Sequence, residues 1–251
     1  MQPNPKLIIG SMVDKKHIYL FSSIEEAMRQ ISNIFKYKTF IIPDQCCPNY
    51  YKIPESYNEL KTIYGIIDMK DLISKCQNKI LLLNGMASSF AEQPVSLLLD
   101  VCKEKNCSII NDVSTSLNLS SARLGEYSLC SLDKSSFINL GYGAFFASNA
   151  ELNLAENFDK SKINDLNEKL SAMDSRVKYL SWANAKVKVD LNSFEILHRD
   201  KRSISILIRF DTLMEKRRLV SYCEKSQLPY EIAPKYLKSN PNLIAIEIIK
   251  K

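Results

Sequence analysis

Three side chains that could take part in chemistry follow one another in the middle of the chain. Asp112 ends an apolar run typical of a buried parallel strand, and Ser131 and Lys134 stand at the end of the next apolar run. Gly141 and Gly143 then mark a glycine-containing turn. A carboxylate can keep a pyridine nitrogen protonated, a lysine amine can form a Schiff base, and a serine hydroxyl with backbone N–H groups can bind a phosphate. In this order the residues supply what a pyridoxal phosphate (PLP) site needs.

Each of these residues also has a purely structural interpretation. An aspartate at a strand end commonly caps the following turn, and a lysine in a turn is most often exposed to solvent. A Schiff-base lysine needs a desolvated site that lowers its pKa. The residues downstream favour the functional interpretation of Asp112. Ser114, two residues further on, is then expected to contact the ring or the phosphate.

The first 150 residues alternate between strand and helix patterns. Apolar runs predict strands at 18–21, 39–42, 61–64, 79–84 and 107–112, and helical patterns lie at 24–35, 69–76 and 94–105. Such alternation predicts an α/β fold with a mostly parallel central sheet and helices on both faces. Ligands bind such sheets at the carboxyl ends of the strands. Asp44, Asn84, Asp112 and Lys134 are therefore expected at one edge of the sheet.

The pattern changes after residue 150. A polar helical region is predicted over 150–185, followed by a strand at 203–210, a helix at 212–225 and a final strand at 243–249. This β-α-β ending predicts a small α+β domain. We therefore expect a large α/β domain over residues 1–155, and a linking helix with a small α+β domain over residues 156–251.

Composition and charge exclude several other classes of protein. The chain has 251 residues, with 45% hydrophobic and 25% charged residues, which is normal for a globular protein. The net charge of +6 is spread along the chain, so no nucleic-acid groove is predicted, and no segment is apolar enough to predict a membrane span. Seven scattered cysteines without a CxxC pair, and only two histidines, predict no metal site. Free thiols in a core suit a reducing compartment, so a cytoplasmic location is expected.

The order of these motifs resembles the PLP-dependent fold-type I enzymes, and in particular the DegT/StrS-type sugar aminotransferases. The resemblance covers most of the chain. The motifs that carry it are Phe21-Ser22-Ser23, Ile42-Pro43-Asp44-Gln45-Cys46-Cys47-Pro48, Asn84-Gly85, Ile110-Asn111-Asp112-Val113-Ser114, Gly125-Glu126, Cys130-Ser131-Leu132 and Gly141-Tyr142-Gly143-Ala144.

The resemblance implies an enzyme that transfers an amino group to a keto-sugar or a related carbonyl. In that interpretation Lys134 carries the Schiff base and moves the proton, and Asp112 pairs with the pyridinium nitrogen. The residues expected to bind the cofactor are Ser22, Ser23, Asp112, Ser114 and Ser131. The family also implies a dimer, either of two identical chains or with a homologous subunit, and a small-molecule substrate.

The sequence departs from the family pattern at several of these positions. In the usual spacing the Schiff-base lysine falls five residues after the serine, which is Ser136 here, whereas Lys134 lies only three residues after Ser131. Ile24 stands where the family favours a glycine that lets the backbone approach the phosphate, and Glu25 adds a negative charge there. A second hypothesis therefore stays open. The chain would be a catalytically inactive descendant that does not use PLP and acts as a binding protein or as the partner of a catalytic homologue.

Overall fold

The computed structural model describes residues 4–237 and 242–248. Its helices are α1 (Pro5–Val13), α2 (Ile24–Ile34), α3 (Met69–Lys75), α4 (Val95–Glu104), α5 (Ile163–Ser171), α6 (Met173–Asp190) and α7 (Leu213–Lys225). Its strands are β1 (His17–Phe21), β2 (Phe40–Pro43), β3 (Tyr57–Leu60), β4 (Thr62–Ile63), β5 (Ile66–Ile67), β6 (Ile80–Asn84), β7 (Ser108–Asp112), β8 (Tyr127–Ser131), β9 (Ala144–Ser148), β10 (Glu195–Leu197), β11 (Ser205–Arg209), β12 (Tyr230–Ile232) and β13 (Leu243–Glu247). Short 3-10 turns occupy Pro48–Lys52, Ala87–Ser89, Ser120–Arg123, Lys160–Lys162 and Lys235–Leu237.

The central sheet has seven strands in the order β1-β9-β8-β7-β6-β2-β3. Strands β8, β7, β6, β2 and β3 pair in parallel, and β9 runs antiparallel to both β8 and β1. The expected mostly parallel α/β architecture is therefore confirmed. Because β6, β7 and β8 lie side by side, their carboxyl ends meet at one edge.

The side chains of the central strands alternate between two buried faces. On β7, Ile110 packs in one apolar cluster with Met28 and Ile31 of α2, while Ile109 packs in another with Leu98 of α4. Burial on both faces explains why these strands are almost continuously apolar. Helices therefore cover both faces of the sheet, as the alternating sequence pattern predicts.

The segment before α5 is neither helix nor strand, so the prediction of helix from residue 150 is wrong for 150–159. This segment runs along β1, which is an edge strand with free backbone groups. The Glu156 carboxylate accepts a hydrogen bond from the Leu20 backbone N–H at 2.7 Å, and the Asn157 side chain accepts one from Ser22 at 2.9 Å. The polar residues that suggested a helix instead accept hydrogen bonds from backbone N–H groups at the edge of the sheet.

A second sheet follows, with four antiparallel strands in the order β10-β11-β13-β12. Helix α7 begins at a capping box, in which the Thr212 side chain and Glu215 satisfy each other's backbone N–H groups. The predicted β-α-β ending is present, although the last predicted residue of the final strand, Ile249, lies outside the described residues. The division of the chain after residue 155 stays a prediction. No helix in the described part of the chain has both the length and the apolar character needed to cross a bilayer.

Candidate functional site

A cavity of about 340 Å³ lies at the carboxyl ends of β2, β6, β7 and β8. Its walls come from the segments that leave these strands and from the start of α2. Its lining includes Ile24, Cys47, Tyr50, Asn84, Asp112, Ser114, Ser131, Asp133 and Ser135. The topology thus brings together side chains that are far apart in the sequence, at the edge where parallel sheets usually bind ligands.

Asp112 lies in the wall of this cavity, and donors contact both of its carboxylate oxygens. The Tyr50 hydroxyl donates to Oδ2 at 2.6 Å, and Oδ1 accepts from the Ser114 backbone N–H at 2.9 Å and from the Ser114 hydroxyl at 2.5 Å. Tyr50 is 1% exposed and Asp112 is 9% exposed. The carboxylate is therefore part of a closed hydrogen-bond network inside the protein.

Burial governs the ionisation of both partners. Desolvation raises the pKa of Asp112 above its ordinary value of 3.8, against the opposing effect of the hydrogen bonds from Ser114 and Tyr50. Desolvation and the nearby carboxylate also hold the pKa of Tyr50 well above 10.0, so its hydroxyl keeps its proton. The tyrosine is thus fixed as the donor of this bond.

The raised pKa of Asp112 predicts a specific pH dependence of stability. Between the unfolded pKa of 3.8 and the higher folded pKa, the folded state binds more protons than the unfolded state, so the free energy of unfolding falls as the pH rises. Asp112→Asn removes this titration. Urea unfolding between about pH 4 and about pH 7 should show the wild-type chain losing stability relative to Asp112→Asn as the pH increases. If the difference in unfolding free energy between the wild-type chain and Asp112→Asn stayed constant with pH, or changed in the opposite direction, the pKa of Asp112 would not be raised in the folded state.

The end of β8 repeats the local geometry found at Asp112. The Asp133 Oδ1 atom accepts from the backbone N–H of Ser135 at 2.8 Å and from its hydroxyl at 2.6 Å. Ser131 links the two strand ends, because its backbone N–H donates to the Ser114 hydroxyl at 2.8 Å while its own hydroxyl accepts from Asp133 N–H at 3.3 Å. Two Asp-x-Ser turns therefore face the same cavity.

Lys134 and Ser136 both lie outside the cavity wall. Lys134 is exposed, and its aliphatic chain runs across Gly141, where a Cβ atom would lie 3.5 Å from Lys134 Cγ and Cε. Ser136 is buried, and its hydroxyl donates to the Asp133 carbonyl at 2.8 Å and accepts from Asn139 N–H at 3.2 Å. Of the sequence-predicted site residues, the structure brings Asp112, Ser114 and Ser131 together at the cavity.

Ser22 and Ser23 lie beside the cavity rather than in its wall. The backbone N–H of Ser22 donates to the Asn157 side chain at 2.9 Å, and the Ser23 hydroxyl accepts from Glu26 N–H at 3.2 Å as the cap of α2. The residue from this turn that lines the cavity is Ile24. The expected phosphate-binding turn thus presents an apolar β-branched side chain to the cavity. The Ser23 hydroxyl caps α2, and the Ser22 backbone N–H is bonded to Asn157.

The charge of the cavity is negative. Asp112 and Asp133 line it, and within the described chain no lysine, arginine or histidine does. The thiol of Cys47 also lines it, but desolvation raises the pKa of this thiol, so a thiolate is disfavoured. The remaining polar lining consists of hydroxyl and amide groups, which suit neutral or cationic ligands.

Tyr50 is the functional residue that the sequence analysis misses. It lies in the region 44–54, which is rich in proline and reads as a loop, and it contacts Asp112 from 62 residues away. A 3-10 turn over Pro48–Lys52 directs the ring inward. The only sequence signal is an aromatic residue two positions after Pro48, which does not distinguish a buried ring from an exposed one.

Comparison with known proteins shows similarity in structure but not in sequence. No family model matches the chain, and no curated protein matches it by sequence. Among solved structures, a DegT/DnrJ/EryC1/StrS aminotransferase from Brucella abortus matches 97% of this chain and 83% of its own length, with a TM-score of 0.74 and 11% identity. Serine palmitoyltransferase from S. paucimobilis matches 98% and 70% with a TM-score of 0.73, and a NifS-like protein from Rickettsia africae matches 97% and 81% with a TM-score of 0.68, both at 12% identity.

These likenesses bear on architecture rather than on activity, because identities of 11–12% show the fold alone. The S. paucimobilis structure contains a PLP-myriocin aldimine, so PLP is the cofactor of that neighbour. The resemblance seen in the order of the sequence motifs is confirmed at the level of three-dimensional structure. The chain has the fold of the PLP-dependent fold-type I enzymes, a group that includes a DegT/DnrJ/EryC1/StrS aminotransferase.

Proposed function

We propose that this chain is a non-catalytic protein of the PLP-transferase fold, which binds a small neutral or cationic polar molecule in the cavity beside Asp112. The observation that carries the proposal is the hydrogen bond from the buried Tyr50 hydroxyl to the Asp112 carboxylate. In a PLP site an aspartate in this role must accept a hydrogen bond from the pyridine nitrogen. Here internal donors already occupy three of the about four acceptor sites of the carboxylate, one on Oδ2 and two on Oδ1.

Displacing Tyr50 would be costly. Its ring is among the largest fully buried side chains, packed with Phe40, Ile42 and Met28. Moving it outward would expose this apolar area and leave a void, each of which costs stability. A cofactor ring that took the position of the Tyr50 hydroxyl would have to offset this cost before gaining that hydrogen bond. PLP therefore does not fit the residues present at this aspartate.

The electrostatics of the cavity argue in the same direction. The phosphate of PLP is an anion of charge near −2, and proteins hold such groups with basic side chains or free backbone N–H groups. The described lining offers no basic side chain and brings Asp112 and Asp133 into the same space. Carboxylates in a partly desolvated cavity repel a phosphate. The same groups favour a cationic ligand, and the surrounding hydroxyl and amide groups favour a neutral polar one.

The residues available for the Schiff base add further support. Lys134 is exposed to solvent and does not line the cavity. A Schiff-base lysine is normally held in a desolvated site, and the exposed position of Lys134 does not provide one. Ser136, at the family's usual lysine position, has no amine. Amino transfer by this chain would require a lysine to enter the cavity from elsewhere.

Mixing the purified protein with PLP tests the proposal. We expect no PLP to remain with the chain after gel filtration, and no mass increase on any lysine of the cavity region after borohydride reduction, because the cavity repels the phosphate and Asp112 is already paired. Lys134→Ala is the matched control, and it should change neither the unfolding free energy by more than about 0.5 kcal/mol nor the PLP result.

The opposite outcome would support PLP-dependent amino transfer, the competing function that the fold alone favours. One PLP per chain, reduced onto Lys134 and lost in Lys134→Ala, would overturn the proposal. Circular dichroism of both proteins establishes that a loss of PLP is not a loss of fold.

A further inference from the structure

A second group of reactive side chains lies at the opposite end of the central sheet from the cavity. Cys102 stands in the last turn of α4, and Cys107 immediately precedes β7. The Cys107 backbone N–H donates to the Cys102 carbonyl at 2.8 Å, which folds the connection between them into a tight turn. Asn106 completes this turn in the left-handed region, at φ 49°.

Both thiols line one surface groove of about 480 Å³, bordered also by Glu126. The two cysteines are 2% and 4% exposed, so they form the floor of the groove rather than its rim. The two thiols are close enough to interact, and this interaction lowers the pKa of Cys107 and raises that of Cys102. The Cys107 thiol is also within 3.7 Å of the Ser108 carbonyl, to which it donates when protonated. A further hydrogen bond from the Leu81 backbone favours the Cys107 thiolate. The pair therefore consists of a potential nucleophile and an adjacent protonated thiol.

We propose that Cys102 and Cys107 form a peroxide-responsive dithiol that closes to an intramolecular disulfide. The proposal is independent of what the cavity binds. It stands on the shared groove, the contact between the two thiols and the tight turn that joins them. Such a pair differs from a single buried cysteine because the second thiol can resolve the first oxidised product.

The chemistry balances with hydrogen peroxide as the oxidant. The Cys107 thiolate attacks one peroxide oxygen, the O–O bond breaks, and the departing hydroxide takes up a proton to leave as water. The Cys102 sulfur then attacks the sulfenic sulfur of Cys107, the S–O bond breaks, and a second water leaves as Cys102 loses its proton. Two thiols are oxidised by two electrons, and one peroxide is reduced to two waters.

Cys76 is the nearest competitor for either role. It packs in the same apolar cluster as Cys102 and Cys107, and burial raises its pKa, as does the neighbouring Cys107. Three neighbouring thiols could also suggest a metal, but the described residues contain no group of three ligands able to hold one. Direct contact between their thiols makes Cys102 and Cys107 the pair expected to close first.

Peptide mapping of the peroxide-treated chain tests the proposal. Trypsin separates the cysteines, because Cys102 lies in peptide 80–103, Cys107 in peptide 106–123 and Cys76 in peptide 76–79. After mild peroxide treatment of the folded protein and alkylation, we expect a disulfide between peptides 80–103 and 106–123, with a loss of two free thiols per chain. Reduction by dithiothreitol should separate the peptides again.

Variants distinguish the two thiols. Cys107→Ser should slow thiol loss by about tenfold or more, because the thiolate is the nucleophile. Cys102→Ser should leave Cys107 as a sulfenic acid that dimedone traps. Cys223→Ser, which removes a buried thiol on α7, is the matched control and should leave the disulfide unchanged. A disulfide between peptides 76–79 and 106–123, or oxidation of single cysteines without any disulfide, would overturn the proposal. Both outcomes are measured on the wild-type chain, so they do not depend on whether a variant folds.

Discussion

Replacing Asp112 by alanine is expected to lower the free energy of unfolding by about 3–5 kcal/mol. The substitution removes the acceptor for the Tyr50 hydroxyl and for both donors of Ser114. Each buried donor left without a partner costs about 1–3 kcal/mol, and water entering from the adjacent cavity offsets part of that cost. Urea unfolding at neutral pH measures the loss.

Two companion variants isolate the bond to Tyr50. Tyr50→Phe removes the hydroxyl but keeps the ring, so we expect a loss of only about 1–2 kcal/mol. In Asp112→Ala with Tyr50→Phe, the Tyr50 hydroxyl is no longer present to be left without its acceptor, so the combined loss should be smaller than the sum of the two single losses. Strict additivity would mean that the hydroxyl and the carboxylate do not interact, and the argument against PLP at Asp112 would lose its basis. Asp112→Asn, which retains an acceptor for Ser114, should be much milder than alanine.

The architecture and one part of the site follow from local patterns. Continuous apolar runs such as 79–84 and 107–112 indicate strands that are buried on both faces, so β6 and β7 were predictable as strands of a mostly parallel sheet. A polar residue that ends such a run must lie at the carboxyl edge. For this reason the sequence alone places Asn84 and Asp112 at the same edge, and in the structure the two residues pair in register.

The contents of the site depend on contacts that no local pattern encodes. Whether the lysine of a turn points into a cavity depends on the path of the backbone, and here the bonds from Ser135 to Asp133 set that path and leave Lys134 outside. Tyr50 reaches Asp112 across 62 residues, through a 3-10 turn in a region read as a loop. Apolar periodicity carries no information on either feature, because hydrogen bonds within a turn decide the first and tertiary packing decides the second.

Gly125→Ala is expected to destabilise the protein by about 3–5 kcal/mol, from the combined cost of backbone strain and overpacking. Gly125 has φ 78°, and a Cβ there would lie 2.5 Å from Ile109 Cβ and 2.8 Å from the Ile109 carbonyl oxygen. Ile109 cannot yield, because it lies within β7 and its N–H donates to the Glu126 carboxylate at 2.7 Å. Thermal and urea unfolding would measure the effect.

Gly141→Ala is the matched control, since its φ of 79° imposes the same backbone strain without a comparable clash. The atoms nearest to its added Cβ are Lys134 Cγ and Cε at 3.5 Å, an ordinary contact with a flexible side chain. We expect this variant to lose about 1–2 kcal/mol, the cost of a left-handed alanine. The difference between the variants therefore measures how closely the turn before β8 packs against the strand that ends in Asp112. Equal losses would mean that β7 and this turn adjust freely, and that the contact between Gly125 and Ile109 at the amino end of β7 adds no cost of its own.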